Sequence, residues 1–139
     1  MQPSRTKAWL RTRVRQCTQG HRAAGFSFAH RQGDRKYSLL SSAILQYEVS
    51  RTNVWRRRYI AERYDCEDFA AALWAQVVYQ CSQRSDMEYA PAFGFMWYQG
   101  HAVSCVVLDN NGFYRLEPQK LWALEQLDSS VKRISLIVM

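Results

Sequence analysis

Cys66 stands in the run YDCEDFAAAL, which spans residues 64–73. Three acids surround it, and an apolar stretch follows at once. A thiol at the first position of a helix feels the helix's positive end, which favours the thiolate. The neighbouring Asp65, Glu67 and Asp68 push the other way, so a nucleophilic Cys66 needs a base. His21 and His30 fall in a strongly basic N-terminal stretch. His101 opens the run HAVSCVVL directly after Gly100, where a strand is expected to begin. A histidine at the mouth of a sheet, facing a helix that opens with cysteine, is the arrangement a thiol–imidazole dyad requires. A third group must orient the ring. Asp109, at the far end of the same strand, is out of reach. Glu117 and Gln119, on the returning strand, both have the parity to face His101. A hairpin in which Asp109 pairs with Phe113 leaves Glu117 about 13 Å along the strand from His101. A bulge or an earlier turn is needed to bring the two together.

The elements that must position these residues begin near Tyr37. The stretch YSLLSSAILQYEV carries a helical stripe through Leu39, Leu40, Ala43, Ile44 and Tyr47. RTN breaks it, and Thr52 or Asn53 can cap a second short helix, VWRRRYIAER. CEDFAAALWAQVVYQC is apolar almost all round and predicts a buried central helix capped by Asp65. YAPAFGFMWYQ, HAVSCVVL, FYRLEPQ and RISLIVM predict strands, with DNNG as a turn. Helices first and an antiparallel sheet afterwards predict an α+β domain over 37–139.

Residues 1–36 hold nine lysines and arginines against one acid, so the net charge of +7 is concentrated there. This predicts a flexible basic arm suited to a polyanion such as nucleic acid. No stretch is apolar enough for a membrane-spanning helix, and no secretory signal is read. Cys17, Cys66, Cys81 and Cys105 show no metal-type CxxC spacing and are expected as reduced thiols in a cytoplasmic setting. Nothing in the sequence sets an oligomeric state.

YDCEDFAAAL resembles the nucleophile motif of the transglutaminase-like and papain-like cysteine peptidases. GHAVSCVVLDNNGFYRLEP is similar to the second half of that superfamily, where an acid–proline step follows the histidine strand. The order and spacing also resemble the cysteine-protease domain of a mushroom agglutinin, whose third member is likewise a glutamate. The resemblance implies a papain/transglutaminase-like fold, with Cys66 as nucleophile, His101 as general base and acid, and Glu117 as orienting carboxylate. It implies a catalytic-triad thiol protease or amidase that forms a thioester on a protein or peptide substrate. Protein cross-linking by transglutamination is the alternative. Asn53, Trp55 and Arg63 are candidates for the oxyanion-binding side chain, beside the backbone N–H of Cys66. No cofactor is expected from the residues; the agglutinin resemblance alone implies calcium, for which Asp65, Glu67 and Asp68 supply oxygens. The rival expectation is a non-catalytic basic binding protein with a vestigial triad, its arm on nucleic acid.

Overall fold

The structure is a computed structural model, and it describes residues 1–18, 22–29, 35–98, 100–127 and 134–138. Its centre is a six-stranded sheet in the order β2–β8–β4–β5–β6–β7. The strands are β2 (Arg22–Ala29), β4 (Phe93–Tyr98), β5 (His101–Val107), β6 (Phe113–Leu116), β7 (Leu124–Gln126) and β8 (Ile134–Val138). Five of them are antiparallel neighbours, and β2 joins the β8 edge in parallel. A separate two-stranded ribbon pairs β1 (Ser4–Thr6) with β3 (Lys36–Ser38). Three helices complete the fold: α1 (Lys7–Cys17), α2 (Ser42–Thr52) and α3 (Cys66–Ser82), with a 3-10 turn at Val54–Arg56.

Alternation along β5 divides the core. Val103, Cys105 and Val107 pack with Met96, Phe113, Ile134 and Ile137, beneath Leu10 and Val14 of α1. On the other face Val106 packs with Phe93 and Leu116, against Phe69, Leu73 and Val77 of α3 and Leu45 and Val49 of α2. Each of these fully buried Leu, Val or Phe side chains contributes roughly 1.5–3 kcal/mol by leaving water. Helix α3 starts where Asp65, in extended conformation, leaves its carbonyl to the amide of Phe69 at 3.0 Å. The Asp68 carboxylate accepts from the Asp65 amide at 3.1 Å, so the acids of the motif close the first turn.

Several expectations are corrected here. The sheet is mixed, eight strands accompany three helices among the described residues, and the chain enters through a strand and α1 before the helices on which a papain/transglutaminase-like α+β class was argued. The basic N-terminal stretch, expected as a flexible arm, is folded over residues 4–17. Leu10 and Val14 are fully buried, and Arg13 donates to the carbonyl of Asn111 at 2.6 Å. Its charge masked an amphipathic face: Arg11 and Arg15 point outward while Leu10, Val14 and Thr18, four apart, go in. Helix α3 is not buried all round, since Ala71, Ala75 and Tyr79 face solvent. VWRRRYIAER makes only the 3-10 turn, because Asn53 takes a left-handed φ of 55° and ends α2 instead of starting a helix.

Candidate functional site

Loop residues 57–65 set the entry to α3. Ile60 and Tyr64 exchange backbone hydrogen bonds at 2.9 and 2.7 Å around Glu62, whose φ is 59°. The Tyr64 ring packs on buried Phe69 at 4.8 Å, and its hydroxyl accepts from Arg57 at 2.6 Å. Gln76, in the amide orientation that satisfies both of its ends, links Arg57 to the carbonyl of Thr52. These contacts tie the residues ahead of Cys66 to the body of α3 and to the end of α2, so the sulfur is held by the core.

Cys66 is half-buried at the first position of α3. Its thiol donates to Glu67 Oε2 at 3.4 Å. The backbone N–H of Ala102, at the start of β5, lies against the sulfur and favours its charged form. Burial acts in the opposite sense and dominates, and the Glu67 and Asp65 charges add to it. The thiol is therefore held above the ordinary cysteine range and rests protonated.

Gly100, with φ 77°, turns the chain from β4 into β5 and sets His101 at the strand's first position. His101 Nε2 meets Glu117 Oε2 at 2.7 Å. Glu117 follows directly on β6, and the turn behind it holds it in place. Its Oε1 accepts from the Gln119 amide at 3.2 Å, its own amide reaches the carbonyl of Ala123, and its carbonyl accepts from Lys120. Imidazole and carboxylate side chains are 39% and 23% exposed, so the pair is open to a ligand yet partly shielded from water. The contact engages Nε2 and leaves Nδ1 clear of Glu117, and no hydrogen bond among the described residues joins His101 to Cys66.

The register that makes this contact differs from the expected one. Val107 pairs with Phe113 and Cys105 with Arg115. The hairpin therefore closes two residues earlier, at Leu108 and Gly112, and the left-handed residue is Asn111 (φ 62°) rather than Gly112. Gly112 is needed for a different reason: a Cβ there would stand 2.5 Å from the Tyr114 ring. This two-residue shift of register halves the separation along the strands between Glu117 and His101, to roughly 6–7 Å, which the glutamate side chain spans. Gln119 contributes only its backbone N–H. Asp109 lies exposed at the turn. His21 and His30 lie outside the described residues.

Among the oxyanion candidates, Asn53 is spent on the helix end and Arg63 is exposed. Trp55 carries Arg56 over its ring at 4.7 Å, and its buried Nε1 finds no acceptor among the described residues. Ligand atoms of Asp65, Cys66 and Glu67 come within 4.8 Å of one another. One soft sulfur and two carboxylates do not make a calcium site, which calls for six to eight oxygens. Asp68 adds none, because it closes the helix turn. Beside Glu117 lies a cavity of about 180 Å³ lined by Val103, Arg115, Lys120, Ala123 and Glu125. Sequence reasoning missed it; the alternation of Arg115 and Glu117 on β6 was the available signal.

No family model and no curated protein matches the chain. Solved structures do. One, titled as a PSL1a–E64 complex, superposes over 98% of this chain and 51% of its own, at TM-score 0.83 and 17% identity. Another is a Polyporus squamosus lectin bound to the human-type influenza-binding epitope Neu5Acα2-6Galβ1-4GlcNAc. It covers 98% of this chain and 49% of its own, at TM-score 0.80 and 17% identity. At this identity the likeness establishes the fold, and the chain spans about half the length of the solved chains it matches. The second of these titles names a lectin. The expected kinship with transglutaminase-like and papain-like peptidases is therefore corrected. The peptidase, amidase or cross-linking activity read from that kinship goes with it, as do the thiol-protease class and the expected protein substrate. Among the described residues no helix is long and apolar enough to cross a membrane.

Proposed function

We propose that the chain is a ligand-binding module whose working site is the Cys66 thiol with His101 and Glu117. The 2.7 Å contact of His101 Nε2 with Glu117 Oε2 carries this reading, because it orients an imidazole at the end of the strand whose Ala102 amide favours a charged Cys66 sulfur. The resting thiol is neutral, so its reactivity depends on a base. His101 takes the thiol proton at Nδ1 as the sulfur forms its bond to an electrophilic carbon. Glu117 stabilises the imidazolium that results. With an alkylating probe such as iodoacetamide, the C–S bond forms, the C–I bond breaks and the proton passes through His101 to solvent. This reading concerns capture of a ligand at the thiol; hydrolytic turnover forms no part of it. The E64 named in one neighbour's title is a direct probe. Intact-mass and peptide analysis after incubation with E64 should place one adduct on Cys66 and none on Cys17. No adduct, or equal labelling of the two cysteines, would end the proposal.

A second reading takes the trisaccharide named in the other title. The cavity beside Glu117 presents Arg115 and Lys120 together with Glu117 and Glu125, donors and acceptors suited to sugar hydroxyls, with cations for a carboxylate. Titration calorimetry with Neu5Acα2-6Galβ1-4GlcNAc should show binding that Lys120→Glu weakens. Absence of heat at millimolar glycan would dismiss it.

A further inference from the structure

Glu67 is exposed on the first turn of α3, beyond the residues that close the helix, yet it takes the hydrogen bond of the Cys66 thiol at 3.4 Å. The groups around the sulfur divide by element. From α3 and the residue before it come Glu67 and Asp65. Asp68 is directed to the Asp65 amide. From the sheet come the Ala102 N–H and, beyond it, the His101–Glu117 pair. The helix end and the Ala102 amide favour a charged sulfur. Among the described acids, Glu67 alone accepts the thiol's own proton in a hydrogen bond. A carboxylate in that position opposes proton transfer to His101 twice over, by holding the proton and by repelling the thiolate.

We infer that Glu67 is a restraint on Cys66: a positioning residue that holds the thiol in its resting, protonated arrangement and competes with His101 for the proton. The inference rests on the thiol-site reading above. It makes Glu67 the point at which that site's reactivity is set, and any group that draws the Glu67 carboxylate away releases the thiol to its base.

The test is the pH–rate profile of iodoacetamide labelling at Cys66, read by peptide mass spectrometry with Cys17 as internal reference. Wild type, Glu67→Gln and Glu67→Lys are compared. Glu67→Gln should label roughly three- to tenfold faster at neutral pH, with its profile displaced toward lower pH. Glu67→Lys should label faster still, and its advantage over Glu67→Gln should shrink with added salt. The residue is exposed, so thermal melting should confirm that both variants fold. Equal rates and superposable profiles in wild type and Glu67→Gln, with Cys66 still outpacing Cys17, would overturn the restraint and leave the thiol site standing. Cys66 labelling no faster than Cys17 in all three proteins would overturn both.

Discussion

Two glutamates hold the molecule's charged side chains together, and they do so in opposite ways. Glu48 of α2 is fully buried. Its carboxylate meets Arg84 at 2.9 Å and Arg51 at 3.4 Å, and Gln80 donates to it when its amide is oriented to match its neighbours. Arg84 in turn grips Asp86 through two bonds of 2.9 and 2.8 Å. Glu117 has one short contact to His101, partial exposure and a cavity at its side. Both oxygens of Glu48 are engaged in a fully buried setting, and the residue locks α2 to the end of α3. Glu117 fixes one nitrogen of an imidazole and leaves the other to act. The contrast separates structural charge from functional charge: saturation and burial mark the first, a single orienting bond at an open edge marks the second.

The largest effect belongs to the saturated network. Arg84→Ala should destabilise the protein by about 3–5 kcal/mol, since it strands a buried carboxylate. Urea unfolding measures this. Arg84→Lys should recover part of the loss but not the paired contacts to Asp86. A cost below about 1 kcal/mol for Arg84→Ala would remove the distinction drawn here.

At the open site the effect is on reactivity instead. His101→Ala should slow Cys66 alkylation at neutral pH by at least about tenfold, and Glu117→Gln by less, while urea midpoints change little. Large destabilisation by either variant would make the pair another structural lock.

The thiols give a pH dependence of definite sign. Burial pushes Cys81 up to about 12 from an ordinary value of 9.0, and raises Cys105 further; both are fully buried. The unfolded chain therefore releases these protons at lower pH than the native state. Stability is intact below the ordinary thiol range and falls as pH rises through it toward the native value. Each such thiol can cost up to about 1.4 kcal/mol per pH unit in that window. Cys81→Ala should flatten the decline between pH 9 and 11, measured by urea unfolding.

Thiol, imidazole and acid–proline step stood out as scarce residues at recognisable places. The contact of His101 with Glu117 was not legible, because it depended on where a hairpin turned. Glu48 was invisible for another reason. Its helix was phased on Tyr47, and the chain does the reverse: Ser41 caps α2 one step later, Tyr47 is 56% exposed and Glu48 goes inside. An aromatic next to an acid misleads a periodicity argument when the acid has two arginines waiting elsewhere in the chain. The kinship read from the short motifs failed on a broader scale, since local spacing does not register the parallel β2 edge, the folded α1 or the solved structures that share the whole arrangement.

The smallest expected effect tests how far the functional pair depends on its hairpin. Asn111 holds φ 62° at the β5–β6 turn, a conformation that a β-branched residue resists. Asn111→Gly should leave stability within about 0.5 kcal/mol, because glycine enters that region freely. Asn111→Val should cost about 1–2 kcal/mol if the turn is kept. If the turn relaxes, the register of β6 shifts and Glu117 leaves His101, so Cys66 alkylation slows while the Glu48 network is untouched. Nuclear magnetic resonance of the His101 ring, compared with the urea midpoint, distinguishes the two. An unchanged imidazole signal alongside lost stability means that the pair is held by the turn at Pro118–Ala123 rather than by the hairpin.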